Sequence, residues 1–189
     1  MLSTEQIENI QIDFGLVFVN YGETSQVQLG LTRGGSEFSA TKLVRDIEFD
    51  GRKGKTKGLQ VIDEINAMLK TVIMDTSVAT LSSLMPHLDL VAAAGGTPAY
   101  ITNADVGVIP DAKYLKNVTM FAKVLGGGYK RITLYNALAE NDLVLAAKPK
   151  GEGEVSLEIH AHWEVGDGAD QDKLFKVEDV ATIAQPPGA

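Results

Sequence analysis

Apolar and polar residues alternate along two segments of the chain, as they do in half-buried β-strands. In residues 26–32, Val27, Leu29 and Leu31 fall on one face of a strand. Residues 155–165 alternate for longer, with an apolar side chain at every second position. These apolar positions are Val155, Leu157, Ile159, Ala161, Trp163 and Val165. The period of two predicts strands of an antiparallel sheet that is covered on one face only.

Further segments also have the pattern of strands. Residues 14–22 are apolar on both faces, which predicts a central or sandwiched strand. In residues 37–49 the apolar side chains change from one face to the other, and such a change of phase predicts a bulge or a bend. Residues 117–125 and 131–135 are separated by a glycine-rich stretch, which predicts a hairpin.

Residues 59–75 fit two interpretations. Their apolar residues alternate as in a strand, but Val61, Ile65, Leu69 and Val72 are also spaced as on one face of a helix. Periodicity alone leaves both interpretations open.

One segment, residues 75–86, predicts a helix. Asp75 or Ser77 is a suitable N-cap, apolar residues follow at helical spacing, and Pro86 ends the helix. The next part of the chain, residues 93–114, is rich in turn-forming residues and predicts a long irregular excursion.

Together these patterns predict a mainly β fold: an antiparallel β-sandwich or partial barrel, flanked by one short α-helix and carrying a long basic hairpin loop. The chain has 189 residues, of which 44% are hydrophobic and 22% charged, as in globular proteins. We expect a single domain over residues 1–189, with an N-terminal arm at about residues 1–13 and a loose C-terminal tail at about residues 180–189.

Composition excludes several classes of function. The 17 Lys and Arg against 25 Asp and Glu give a net charge of −8, which argues against a protein that wraps DNA tightly. The absence of Cys rules out disulfides and thiolate metal sites. The longest uncharged apolar stretch, residues 90–104, is interrupted by Gly95, Gly96 and Pro98, so we expect no membrane span. The N-terminus has no features of a signal peptide, and we expect folding in a cytoplasm.

The most distinctive charged segment is residues 51–58, which contain four basic residues and no acidic one, a local charge of +4. These residues are Arg52, Lys53, Lys55 and Lys57. A phosphate-binding P-loop would need glycine where Phe49 stands, and no strand–helix pair brackets the segment. A solvated hairpin, a docking loop for an acidic partner and a nucleic-acid-binding loop remain open, although nucleic-acid binding would favour interleaved aromatic residues, which are absent.

A second candidate site lies in the alternating segment, where His160, His162 and Glu164 share one strand face. A His-x-His pair on a strand occurs in cupin-like metal sites, but the carboxylate of those sites follows at a longer spacing and a distant His completes the set. The alternative function is therefore a metal-binding β-barrel enzyme. The simpler interpretation is the polar outer face of a sheet. Motifs of nucleophilic or dinucleotide-binding enzymes are absent, so we expect no enzyme and no cofactor.

Residues 14–88 resemble the opening of major tail tube proteins of tailed bacteriophages, especially those with Gram-positive hosts. The resemblance is carried by short motifs in the family's order and spacing. They are Asn20-Tyr21-Gly22, Thr32-Arg33-Gly34-Gly35, Arg45-Asp46-Ile47-Glu48-Phe49-Asp50-Gly51 and the glycine/lysine segment from Gly54 to Gly58. The second half of the chain shows only a generic β pattern.

The resemblance implies a structural virion protein. Subunits of this family form six-fold rings by joining their sheets into one barrel, and the rings stack into a hollow tube through which genomic DNA passes into the host. It implies that residues 59–75 form a long strand. It also implies assembly in the host cytoplasm, with further copies of the chain, tape-measure and tail-tip or terminator proteins as partners, DNA as non-specific cargo, and no membrane.

Two groups of site residues follow from this interpretation. We expect Arg52, Lys53, Lys55 and Lys57 to contact the next ring, where residues 140–179, with four basic and eleven acidic residues and a net charge of −7, supply an acidic surface. Glu158 and Glu164 are candidates for lining the lumen, because an acidic face does not bind DNA.

Overall fold

The structure is a computed structural model. It describes residues 3, 7–12, 15–51, 54–146, 151–164 and 173–184. The fold of these residues is mainly β, with antiparallel strands and one short α-helix. The strands are β1 (Leu16–Val19), β2 (Val27–Gln28), β3 (Thr32–Asp46), β4 (Gln60–Ile73), β5 (Leu88–Val91), β6 (Tyr100–Asn103), β7 (Leu115–Lys123), β8 (Tyr129–Ala139), β9 (Val155–His160) and β10 (Phe175–Val180). The helix α1 is Val78–Leu84, and a short 3-10 helix spans Asp111–Lys113.

Strand β8 connects the two layers of a sandwich. Its first part pairs with β7 and β10, whereas Leu138 and Ala139 near its end pair with β9. The change of partner falls between Ala137, which pairs with β7, and Leu138; just before it, Asn136 has φ of 46°, in the left-handed region that few residues other than glycine adopt. One layer is therefore β2-β1-β7-β8 with β10, and the other is β8-β9-β4-β3.

The core lies between the two layers. Val118 and Leu134 from one layer meet Leu69 and Ile159 from the other in a single buried cluster. Burial of these apolar faces is the main favourable contribution to the folded state. The alternation predicted for β9 is confirmed over Val155–His160, where every second side chain is buried.

Several predicted elements are confirmed. Residues 14–22 contain β1, which pairs with both β2 and β7. Residues 117–125 and 131–135 belong to the β7–β8 hairpin. The phase change in residues 37–49 corresponds to a register shift between Leu43 and Val44. Residues 59–75 form a long strand, β4, rather than a helix.

Helix α1 begins and ends as predicted. The hydroxyl oxygen of Ser77 accepts a hydrogen bond from the backbone N–H of Thr80, and the Asp75 carboxylate accepts one from the N–H of Ser77. Pro86 follows two residues after the last residue of the helix, Leu84. Among the residues that the structure describes, no helix has the length and apolar character needed to cross a membrane.

Two predicted strands are wrong in extent. In residues 26–32 only Val27 and Gln28 form β2 and Thr32 already begins β3; between them Leu29 is buried, whereas Val27 and Leu31 are exposed. The chain here crosses between the layers, because the N–H of Leu29 bonds to β1 and the carbonyl of Leu31 accepts a bond from Met74, just after β4.

Strand β9 ends at His160 instead of continuing to residue 165. Its neighbour β8 pairs with it only at Ile159 and His160, and the next β8 residue, Ala137, pairs with Leu115 of β7 instead, so the β8–β9 ladder goes no further.

Regular structure also occurs where none was predicted. The excursion contains β6, which pairs with β5, and Phe175–Val180 forms β10 beside β8. The beginning of the predicted loose tail is held in place, since the N–H of Ala184 donates to the hydroxyl of Tyr21. The N-terminal arm also contacts the sandwich, because Gln11 forms a β-bridge with Val124.

Candidate functional site

The β3–β4 hairpin extends well beyond the sandwich. Strand β4 pairs with β9 only over Met68–Ile73, so Gln60 to Ala67 has β3 as its sole strand neighbour among the described residues. At the usual rise per residue, this two-stranded ribbon projects about 23 Å before its loop begins.

Both faces of this ribbon are exposed. Every described residue of 40–50 and 60–66 is exposed to solvent. Many of these side chains are nevertheless apolar: Leu43, Val44, Ile47, Phe49, Val61, Ile62 and Ile65. We call this set the hairpin apolar residues. A two-stranded hairpin is marginally stable by itself, and a concentrated apolar surface of this kind marks a site of association.

The loop of the hairpin carries the predicted basic residues. Lys55 and Lys57 are exposed, and neither forms an ion pair with any residue that the structure describes. Arg52 and Lys53 lie outside the described residues. The prediction of a basic loop between two paired strands is therefore confirmed for its described part.

A polar face of the second layer brings together one of the predicted lumen residues and two others. Glu37, Lys70 and Glu158 stand side by side on β3, β4 and β9. The Lys70 ammonium lies 2.7 Å from the Glu158 carboxylate. This contact lowers the pKa of Glu158 and raises that of Lys70 from their ordinary values. Glu164 lies beyond the end of β9 and is exposed, so it does not share this face.

Much of the acidic surface predicted over residues 140–179 is already paired within the chain. Glu152 and Glu154 both bind Arg33, and Glu158 binds Lys70. On the other layer Glu178 binds Arg131, and Asp179 binds Lys130. The negative charge that this segment offers to another molecule is correspondingly smaller than its composition indicates.

The proposed set of His160, His162 and Glu164 does not form. The carboxylate that both imidazoles face is Glu140 instead, with its oxygens 3.0 Å from Nε2 of His162 and 4.0 Å from Nε2 of His160. The other ring nitrogen of His162 lies 3.1 Å from the carbonyl oxygen of Asn136. Within the described ranges no group of three or more His, Asp or Glu residues is arranged to hold a metal ion.

Sequence reasoning recognised the basic loop but missed the hairpin apolar residues. A signal was present: the change of phase in residues 37–49 puts apolar side chains on both faces, next to a glycine- and lysine-rich loop. Apolar side chains on both faces of a solvent-exposed strand are unfavourable unless another surface covers them.

No protein-family model matches the chain, and no curated protein shows significant sequence similarity to it.

Proposed function

We propose that this chain is a self-assembling structural subunit that forms stacked hexameric rings, as the tail tube proteins it resembles do. The proposed assembly is a hollow phage tail tube through which genomic DNA passes. Virion localisation and the partners named above, tape-measure and tail-tip or terminator proteins, belong to the same proposal.

The observation that carries the proposal is the exposed ribbon of β3 and β4. Its hairpin apolar residues are exposed on both faces, which is unfavourable in water for an isolated subunit. A neighbouring subunit that covers each face removes this unfavourable exposure of apolar surface to water. A ring or a stack of rings supplies such neighbours, whereas a monomer does not.

The edges of the sheet support the same assembly. Strand β3 spans 15 residues at one end of the strand order, and β2, with two residues, is at the other. The outer edge of β3 pairs with no other strand in the described part of the chain. A long free edge promotes pairing with another chain, which makes it a liability for a monomer and useful for a ring.

The polar face of the second layer supports a lumen role for Glu158. Lys70 is the cation between Glu37 and Glu158, and its charge is compensated by the carboxylate 2.7 Å away. Such a face offers little release of counterions to a DNA backbone, so DNA would slide past it.

Electron microscopy of the purified chain tests the proposal. We expect tubes or stacked rings at high protein concentration, and a faster-sedimenting species in ultracentrifugation. Replacing Arg52, Lys53, Lys55 and Lys57 together with Glu should leave the monomer folded, by circular dichroism, and abolish tubes. Particles that remain monomeric at every salt concentration would contradict the proposal.

A charge-matched control separates the loop from net charge. Lys116→Glu combined with Lys123→Glu alters two exposed lysines of the sandwich, and we compare it with Lys55→Glu combined with Lys57→Glu. Tubes should persist in the first pair and be lost in the second. Equal loss in both would show that total charge, not the loop, controls assembly.

A further inference from the structure

The part of the excursion that lies between β6 and β7 exposes an apolar loop next to an open hollow. Val106 and Val108 are almost completely exposed, and Ile109 is exposed beside them. All three line a hollow of about 650 Å³, whose wall also includes Asp89 and Asp105. Adjacent apolar side chains at the mouth of a concave surface are typical of a binding site.

The hollow is lined by the carboxylates of Asp89 and Asp105 and by the Lys113 side chain, and Asp111 follows its wall residue Pro110 in the chain. Asp89 is bound by the Lys113 ammonium, 2.5 Å away. Asp105 and Asp111 are exposed, and their carboxylates form no ion pair or hydrogen bond with the residues that the structure describes. The loop therefore presents apolar side chains flanked by free negative charge. We call residues 104–113 the acceptor loop.

The tip of the β3–β4 hairpin, residues 47–59, carries charge of the opposite sign in its second part: residues 51–58 have a local charge of +4, whereas Glu48 and Asp50 before them are acidic. Ile47 and Phe49 are exposed and apolar, and Lys55 and Lys57 are exposed cations without a partner in the described chain. Apolar side chains that enter the hollow would bring these cations close to free carboxylates, and matching charges fix the orientation of such a contact.

The tip and the acceptor loop lie at opposite ends of the molecule's longest strands. Strand β4 runs from Gln60 at the tip to Ile73, about 43 Å along a strand. Asp75, just beyond that far end, lines the same cavity as Ala112 of the 3-10 helix. The tip of one chain therefore cannot reach its own acceptor loop, and the occupant has to come from another copy.

We propose that the acceptor loop receives the β3–β4 hairpin tip of a second copy of this chain. This inference rests on the proposed function and adds the receiving surface to it. It replaces the acidic segment 140–179 as the docking partner of the basic loop, because five carboxylates of that segment are already paired within the chain. Contact between opposite ends repeats along one direction, so it stacks subunits head to tail.

The absence of cysteine in the chain allows a direct test by cross-linking. Phe49→Cys and Val108→Cys are made as separate variants and mixed in equal amounts with a short bismaleimide. We expect a cross-linked dimer in the mixture, at least about tenfold above either variant alone, because the proposed contact is heterologous. The control replaces Val108→Cys with Val177→Cys, an exposed valine of β10, and should give only background.

Charge reversal provides the second measurement. Lys55→Glu with Lys57→Glu should raise the concentration needed for assembly about tenfold or more, since it removes the electrostatic match. Adding Asp105→Lys and Asp111→Lys to the same chain should restore assembly, whereas these two changes alone should weaken it.

The outcomes separate this inference from the proposed function. Tubes without a 49–108 cross-link and without rescue would overturn the acceptor loop and leave the tube subunit intact. A 49–108 cross-link in the absence of tubes would support the contact and contradict the ring assembly. Neither tubes nor cross-link would overturn both.

Discussion

Arg45 donates hydrogen bonds to both carboxylate oxygens of Asp63 across the exposed hairpin, from Nε at 2.9 Å and from Nη2 at 3.2 Å. Asp63 is the bulged residue, because Leu43 pairs with Glu64 and Val44 with Ile62, leaving Asp63 without a register partner. The fork geometry of arginine suits such a two-point contact. The pair therefore holds the ribbon at the position where its ladder is interrupted.

Removing this pair should loosen the hairpin without unfolding the protein. Arg45→Ala leaves the core untouched, so the midpoint of thermal unfolding should hardly change. Amide hydrogen exchange in residues 40–46 and 60–66 should become faster, since the bulge loses its side-chain contact. Lys116→Ala, which breaks the exposed Lys116–Glu23 pair of the sandwich, is the control and should leave hairpin exchange unchanged. Unaltered exchange in Arg45→Ala would contradict the structural role of the pair.

Two leucines on neighbouring strands should separate folding from assembly. Leu69 is 0% exposed in the core, whereas Leu43 is 58% exposed on the ribbon. Leu69→Ala should lower the free energy of unfolding by about 2–5 kcal/mol, because it leaves a cavity. Leu43→Ala should change the stability of the monomer by less than about 0.5 kcal/mol.

The same two variants should rank differently in assembly. Leu43→Ala should raise the protein concentration at which tubes form, since it removes part of a covered apolar surface. Denaturant titration and sedimentation measure the two quantities on the same samples. If Leu43→Ala proved as destabilising to the monomer as Leu69→Ala, the ribbon would be covered within the chain rather than by a neighbour.

The sequence was sufficient for elements whose pattern depends on near neighbours. Helix α1 follows from Ser77 and Pro86, and the register shift near Leu43 follows from a change of phase in the strand. It was insufficient where a distant strand decides the outcome. The segment 26–32 alternates correctly, yet Val27 and Leu31 are exposed because the chain crosses between layers there.

The candidate site likewise combines features that can be predicted from neighbouring residues in the sequence with features that depend on distant contacts. A run of lysines is visible in sequence, so the basic loop was predicted. Glu140 is distant in sequence from His160 and meets it only because β8 and β9 are adjacent, with Leu138 opposite His160. Pairing of the acidic residues depends on long-range contacts too, as between Arg33 and Glu152. Composition gives the charge of a segment but not how much of it is already compensated.

The stability of the protein should depend on whether the residue at position 136 can adopt a positive φ. With φ of 46°, Asn136 lies just before the point where β8 passes from one layer to the other. Asn136→Gly should be close to neutral, because glycine adopts this conformation freely. Asn136→Val should lower the free energy of unfolding by about 1–2 kcal/mol, since a β-branched residue is strained there. Chemical denaturation measures both, and a tolerated valine would show that the kink is not required.

Asp75 should make a contribution to stability that depends on pH. Its carboxylate accepts hydrogen bonds from the N–H of Ser77 at 2.9 Å and the hydroxyl of Thr80 at 2.7 Å, and these bonds lower its pKa. Because the folded-state pKa is the lower one, the stabilisation is fully present above the unfolded pKa of about 3.9 and is lost as the pH falls through the folded value.

Asp75→Asn removes the charge while keeping an acceptor oxygen. We expect it to cost about 0.3–1 kcal/mol at pH 7, as for a charge at a helix N-terminus, and progressively less below pH of about 4. Denaturant titrations of both proteins at pH 7 and pH 3 give the difference, in which the other carboxylates cancel. Asp142→Asn, at an exposed carboxylate that bonds to no described residue, should cost nothing at either pH. A cost for Asp75→Asn that is the same at both pH values would mean that the charge of Asp75 does not stabilise α1.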